Sequence, residues 1–370
     1  MKIVLLNLIL HTAEKGVIPR HESNHDCMIY NMARGFVANG HDVTVIAVKE
    51  YRPIKPETNS FKVIYFSSGI KSIFKPHLLP FPKGLYRYLK HNSDDIDLII
   101  SSEVFSIGSL IASFALPSKL MIWHELSAHQ KLMKHIPSRI WYNFVAPIFF
   151  RNIPVTCRSE QAKVFLKKYL SRVSDDVVDH GANSEIFRPS LHNMPDDKFI
   201  VISQLISRKR VDCIIRKFAK FVKIPHYAHY SLEIVGKGTQ EKELQQLVEE
   251  LGIKNNVNFH GFLSHEKLAP LSTKSKALLV FTEQDLNMVS IPESIVNGTP
   301  VITNSVPNTA TFIAKHNLGI VNDYWGEEEL AHLADNYDTY HNNCLAIRSR
   351  LTETGCAKKL VEIWKCGFSQ

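Results

Sequence analysis

Apolar runs of strand length alternate with helical stretches along this chain, and the alternation starts afresh half-way. No other feature limits the possible folds as tightly. Ile3–Leu8 is the first such run, and Met28, Met32 and Phe36 at four-residue intervals mark a helix that stops at Asn39-Gly40. Asp42–Val48 follows at once as a second buried strand. Phe61–Phe66, Asp97–Ser101 and Lys119–Trp123 are further strands, with helices around Val104–Leu116, Ile140–Phe150 and Glu160–Leu170. A polar stretch over 182–197, with prolines, breaks the pattern. It resumes with the strand Lys198–Ser203, the helix Val211–Val222, the strand Leu232–Gly236 and the helix Gln240–Leu251. Strands at Val257–Gly261 and Ala277–Phe281, a helix over Pro292–Asn297 and a strand at Pro300–Thr303 complete it. Two successive strand–helix series predict two α/β domains with parallel sheets, each Rossmann-like. The expected division is 1–182, 183–352, and a helical tail over 353–370. Ligands of such sheets bind beyond the carboxyl ends of the strands, so the crevice between the two domains is the expected site.

Composition removes other classes. Of 370 residues, 16 are Gly and 17 Pro, too few for collagen-like or low-complexity chains, and 45% are hydrophobic, which excludes disorder throughout. The six Cys are scattered without a C-x-x-C pair, which argues against a disulfide framework or zinc ribbon and suits a reducing compartment. The first residues lack a cleavage pattern, and the most apolar stretch, Val104–Leu116, falls short of about 20 apolar residues. A cytoplasmic location is expected. The formal net charge of +8 is lopsided: residues 1–182 carry 23 Lys and Arg against 15 Asp and Glu, whereas 183–370 carry 21 against 21. Such asymmetry points to a first-half surface that faces something anionic.

Four segments carry chemistry. The run from Asp285 to Ile302 follows a strand, passes Glu283 and Asp285 in a polar loop, and enters a helix at Ser290 with Pro292 in its first turn and Glu293 just inside. The first amides of that helix are unpaired donors at the positive end of its dipole, and a carboxylate among them can accept from sugar or ribose hydroxyls. The bland alternative is dipole stabilisation by Glu293 and a solvated loop. Gly236-Lys237-Gly238 follows a strand and allows close backbone approach to a nucleotide, although a tight strand–helix turn explains the pair as well. Arg208-Lys209-Arg210 places three cations after a strand, either solvated or neutralising a diphosphate. His124-Glu125 ends a first-half strand, where a lone His is more often structural than catalytic. Asp95-Ile96-Asp97 has the D-x-D form of metal motifs but sits at the amino end of a strand, away from the expected site. The 18 His show no H-E-x-x-H spacing.

Together these segments resemble glycosyltransferase family 4, the retaining, nucleotide-sugar-dependent transferases of GT-B fold. His180-Gly181-Ala182-Asn183 through Phe187-Arg188-Pro189 is similar to the family's domain-joining segment, and Ile234-Val235-Gly236-Lys237-Gly238 resembles its V-G-x-G turn. Asp285 and Glu293 match its two carboxylates seven residues apart, and Gly298-Thr299-Pro300-Val301-Ile302 matches the G-x-P-V-I that follows. Met32-Ala33-Arg34 with Gly40-His41-Asp42-Val43 is similar to its first-domain pattern. The resemblance implies two facing Rossmann-like domains around a cleft, with the C-terminal helix packed back on the first. It implies that Glu293 holds the donor ribose hydroxyls, Asp285 lies by the sugar hydroxyls next to the anomeric carbon, Lys209 contacts the diphosphate and His124 lies against the donor sugar. His124, Asp285 and Glu293 are thus the expected catalytic residues. Gly236, Gly238, Lys209, Arg208, Glu283, Ser290 and Ile291 are the expected donor-binding ones. No metal, cofactor or covalent intermediate is implied, and a uridine rather than a guanosine diphosphate sugar is the expected co-substrate. The chain departs from the pattern in having Asp285 where the family has Glu and Gln204 where it has Arg, leaving Arg208 or Arg210 to substitute.

The expected activity is transfer of one sugar to a glycan or lipid-linked glycan acceptor in bacterial surface polysaccharide (lipopolysaccharide, O-antigen or capsule) synthesis. A sugar-nucleotide epimerase of the same fold and a catalytically silent sugar-nucleotide-binding partner subunit are the alternatives; the carboxylate pair speaks against the epimerase. Two first-half stretches mix cations with aromatics: Lys71–Lys90, broken by prolines and expected as an exposed loop, and Arg139–Arg151, for which a core-packing helix is the stronger expectation. Such surfaces suit an anionic leaflet, so peripheral docking on the inner membrane face is a further expectation. Nucleic acid is not an expected partner, since no binding module is present.

Overall fold

A computed structural model of the protein describes residues 1–11, 13, 16–130, 132–190, 195–284 and 288–366. They form two compact α/β units, one of residues 1–181 with the helix Glu353–Lys365, the other of residues 182–352.

The first unit holds β1 (Lys2–Leu6), β2 (Asp42–Val48), β3 (Lys62–Phe66), the short pair β4 (Ser68–Gly69) and β5 (Phe81–Pro82), β6 (Leu98–Ser102), β7 (Leu120–His124), β8 (Val155–Cys157) and β9 (Val173–Val177). Seven of them make one parallel sheet in the order β3-β2-β1-β6-β7-β8-β9, while β4 and β5 pair antiparallel apart from it. Ile3–Leu6, Val45–Val48, Leu98–Ile100 and Leu120–Trp123 are buried throughout, as continuous apolar strands covered on both faces must be. The helix Glu353–Lys365 returns to this unit, packs on Met28–Ala38 and adds Cys356, Ala357, Leu360 and Val361 to its core.

The second unit holds β10 (Lys198–Ile202), β11 (Ser231–Val235), β12 (Val257–Gly261), β13 (Ala277–Leu279), β14 (Val301–Thr303) and β15 (Gly319–Val321), a parallel sheet in the order β12-β11-β10-β13-β14-β15. Phe199, Phe218, Phe221, Tyr227 and Tyr230 form a continuous aromatic cluster on one of its faces, with the Phe221 and Tyr227 rings stacked at 4.5 Å. Trp325 is fully buried and donates from Nε1 to the Val280 carbonyl at 3.2 Å.

The direction of strand addition reverses between β1 and β6 in the first sheet and between β10 and β13 in the second. Where neighbouring crossovers leave to opposite faces, the loops beyond the carboxyl ends part and open a crevice. The first such point carries Glu103, one residue past β6. The second carries the loops 203–210 and 280–284.

Some expected elements differ in detail. The expected helix from Val104 begins at Ile107, because Ser106 caps it by accepting from the Ser109 amide at 3.4 Å. Ile140–Phe150 is not one α-helix: α-helical Ile136–Ile140 and Ala146–Phe149 flank a π-helical turn, Trp141–Val145. The Lys71–Lys90 stretch is not simply an exposed loop. Phe74, Leu79, Phe81 and Tyr88 pack against the core, Leu85 and Leu89 are buried, and Ile73 and Tyr86 remain exposed. The carboxylates of Asp95 and Asp97 are both taken by Lys2, through its ammonium and its backbone amide respectively.

Candidate active site

In the second unit the loop after β10 and the loop after β13 are tied together through main-chain carbonyls. The Arg208 carbonyl accepts from the Glu283 amide at 2.9 Å and from Thr282 Oγ1 at 3.0 Å, and Arg208 Nη1 donates to the Gln284 carbonyl at 2.7 Å. Asn304, after β14, fixes Thr282 from the other side: its Nδ2 donates to the Thr282 carbonyl at 2.7 Å and its Oδ1 accepts from the Thr282 amide at 3.3 Å. Lys209, Ser203, Thr282 and Met288 line one small hollow at these strand ends. Arg210 has φ +44°, a left-handed conformation unusual outside glycine, and its guanidinium is engaged by Asp212 and by Glu283, the latter at 2.6 Å. Of the two arginines that could replace the one absent at Gln204, Arg210 therefore already serves two carboxylates.

The turn Gly236–Gly238 has a backbone reason for both glycines. A Cβ at Gly236 would lie 1.8 Å from the Ser203 carbonyl oxygen, and one at Gly238 would lie 2.1 Å from that of Leu205. The turn lies on the β10 loop itself, with the Leu205 amide donating to the Lys237 carbonyl at 3.0 Å. The close approach that glycine permits is thus already used between two loops of the protein.

Glu293 sits in the seven-residue helix Ser290–Val296, all of whose residues are buried. Its own exposure is 5%, and its Oε1 lies 3.5 Å from Nε2 of His265. Ser290 and Ile291 open that helix. Asp285 lies outside the described residues.

In the first unit His124 ends β7 and is completely buried. Its Nδ1 stands 2.8 Å from Oε2 of Glu103. The Val104 amide approaches the same nitrogen at 3.4 Å, so the ring is held through Nδ1 and leaves Nε2 on its other side. That Nε2 is buried and without a hydrogen-bond partner among the described residues. The other oxygen of Glu103 accepts from the Glu125 amide at 2.9 Å, so one carboxylate fixes both the imidazole and the chain that follows it. Glu103 does this from φ +70°, a costly conformation for a residue with a side chain. Beside it, Glu125 pairs with Arg158 at 2.8 Å and lies 3.7 Å from His180, while the Arg158 guanidinium covers the Trp123 ring at 3.9 Å. Burial works to raise the Glu125 carboxyl, but hydrogen bonding to His180 and the Arg158 charge outweigh it and hold it at about 2.

Sequence reading missed Glu103 and Arg158. Glu103 comes beside His124 through strand register: β6 and β7 are parallel neighbours with Ser102 opposite Trp123, so the next residue on each strand, Glu103 and His124, must be adjacent.

Two family models match the chain, and together they span most of it: "Glycosyltransferase Family 4" over residues 28–176 and "Glycosyl transferases group 1" over residues 182–337. The chain belongs to the family 4 glycosyltransferases. An uncharacterised glycosyltransferase of Methanocaldococcus jannaschii is 29% identical over 80% of this chain and 78% of its own length. The alpha-monoglucosyldiacylglycerol synthase of Streptococcus pneumoniae is 22% identical over 64% of this chain and 57% of its own. Among solved structures, the HepE protein of Anabaena in complex with UDP superposes with a TM-score of 0.67 at 15% identity, covering 99% of this chain and all of the other. That likeness bears on the fold, which is GT-B. Among the described residues no helix is long and apolar enough to cross a membrane.

Proposed function

We propose that the protein is a retaining glycosyltransferase that moves a sugar from a uridine diphosphate donor to a hydroxyl of a glycan or glycolipid acceptor in surface polysaccharide synthesis. The observation that carries this reading is the second switch point. Lys209 stands at a hollow between the strand ends there, Arg208 is built into the loop that frames it, and Glu293 is held as a buried carboxylate on the helix that follows. In the reaction the bond from the anomeric carbon to the β-phosphate oxygen breaks, and the acceptor oxygen bonds to that carbon on the same face. The acceptor proton passes to the departing phosphate oxygen. Lys209 and Arg208 offset the charge that develops on the diphosphate, and Glu293 accepts from the ribose hydroxyls. Asp285 takes the place beside the sugar hydroxyls, and His124, oriented by Glu103, presents Nε2 to the donor sugar. No metal is required in this scheme. The UDP in the Anabaena protein supports the uridine donor, and the lipid named for the pneumococcal synthase supports a membrane-borne acceptor, met at the inner face of the membrane.

Thermal unfolding with and without UDP, GDP and their sugars tests the donor. A ligand at about 100 times its Kd stabilises by about 2.7 kcal/mol, so UDP should raise the midpoint by several degrees and Glu293→Ala should remove the rise. An unchanged rise in Glu293→Ala, or none with any nucleotide, overturns the reading. Binding without UDP release, even with acceptor supplied, would instead mark a silent partner subunit.

A further inference from the structure

The segment Ile136–Phe149 has two opposite apolar faces, and only one is used. Ser138, Tyr142, Ala146 and Phe150, four residues apart, are buried against the first unit. Two residues out of phase with them, Ile136, Ile140, Phe144 and Ile148 form a second stripe. These four are between 52% and 68% exposed. Phe149 extends the stripe sideways, its ring 4.9 Å from that of Phe114 on the helix Ile107–Ala115, and Phe114 is itself half exposed. Scattered exposed apolar residues need no explanation, but a continuous row along one helix does.

The charge along the segment itself is of one sign. Between Glu125 and Glu160 the chain has no acidic residue, while Lys134, Arg139 and Arg151 are exposed on and beside the helical segment. Two copies meeting through this face would bring like charges together, which disfavours a symmetric dimer. The row also offers few polar groups for directional pairing with a folded partner. An anionic bilayer asks for neither: apolar side chains enter the headgroup boundary and cations remain at its surface.

We propose that the outer face of Ile136–Phe149 docks on an anionic lipid leaflet, with Ile140, Phe144 and Ile148 inserted and Arg139 and Arg151 at the headgroups. This rests on the membrane-borne acceptor of the reading above and names the surface that meets it. Co-sedimentation of the full chain with phosphatidylcholine vesicles, with or without phosphatidylglycerol, tests it in the absence of nucleotide and acceptor. The protein should pellet with the anionic vesicles and be released by salt. Arg139→Gln with Arg151→Gln should weaken binding by about 25-fold, at about fivefold for each charge. Phe144→Glu with Ile148→Glu should abolish it. All four positions are exposed, so circular dichroism and the thermal midpoint should be unchanged, which separates lost docking from lost folding. Equal binding to neutral and anionic vesicles, or wild-type binding by either double variant, overturns the proposal. So does a wild-type dimer that Phe144→Glu separates while no vesicle binding is seen. Because no donor is present, a failure here leaves the transferase reading standing, and a lost UDP shift leaves the docking surface standing.

Discussion

The two units have the same architecture yet secure their strand ends by opposite means. The first unit interlocks buried and half-buried charges: Glu103 holds His124 and the Glu125 amide, Glu125 holds Arg158, and Arg158 lies on Trp123, whose Nε1 donates to the Val178 carbonyl at 2.7 Å. The second unit relies on main chain, with the Arg208 carbonyl between two donors and the Gly236–Gly238 turn lying on the β10 loop. Its charged pair, Arg210 with Glu283, stands largely in solvent. A network of buried charges is rigid only while every member is present, because each removal strands its partner in a poor dielectric. Backbone ties have no such dependence. Net charge follows the same division: the first unit has 26 Lys and Arg against 17 Asp and Glu, the second 18 against 19.

The contrast can be broken in three ways, in falling order of effect. Arg158→Ala leaves the Glu125 carboxylate without its cation and should destabilise the first unit by about 3–5 kcal/mol, read from urea unfolding monitored by Trp fluorescence. A loss below about 1 kcal/mol would mean that the charges are not interdependent. Acid should act through the same knot. Glu125 is held at about 2, below its ordinary 4.5, so its stabilisation is complete above pH 4.5 and disappears as pH falls toward 2. This amounts to about 3 kcal/mol, and Glu125→Gln should flatten the pH dependence of the unfolding midpoint over that range. A wild-type slope that survives the substitution would assign the acid sensitivity elsewhere. Smallest of all, Glu283→Gln should change stability by less than about 1 kcal/mol, since its pair is exposed. A loss above about 2 kcal/mol would show that the second unit also depends on its ion pairs.

Most of the fold was legible because its strands are buried on both faces and so appear as unbroken apolar runs, as in Asp42–Val48 and Lys198–Ile202. The short strand Gly319–Val321 and the helices over 310–347 escaped notice, being too short or too polar to give a period. The candidate site was legible where its residues lie close in sequence, as from Glu283 to Gly298. It was not legible where adjacency comes from strand register, as for Glu103 beside His124 and Arg158 beside Glu125. Arg139–Arg151 was read as core-packing, and half of its circumference is. Two apolar faces at the same four-residue interval give a pattern apolar all round, which sequence alone assigns to full burial.

The return of Glu353–Lys365 to the first unit imposes an order on biosynthesis. The helix Met28–Ala38 leaves the ribosome early, but the segment that covers it emerges only after residues 182–352 have been made, and they form a unit of their own. The later-made unit can therefore reach its native state first, while the earlier one waits with the helix Met28–Ala38 uncovered on the side that Glu353–Lys365 will occupy. Such a nascent chain offers a sticky surface for the time needed to translate half the protein, at roughly 5–20 residues per second. A chaperone that shields apolar helices would find its client there.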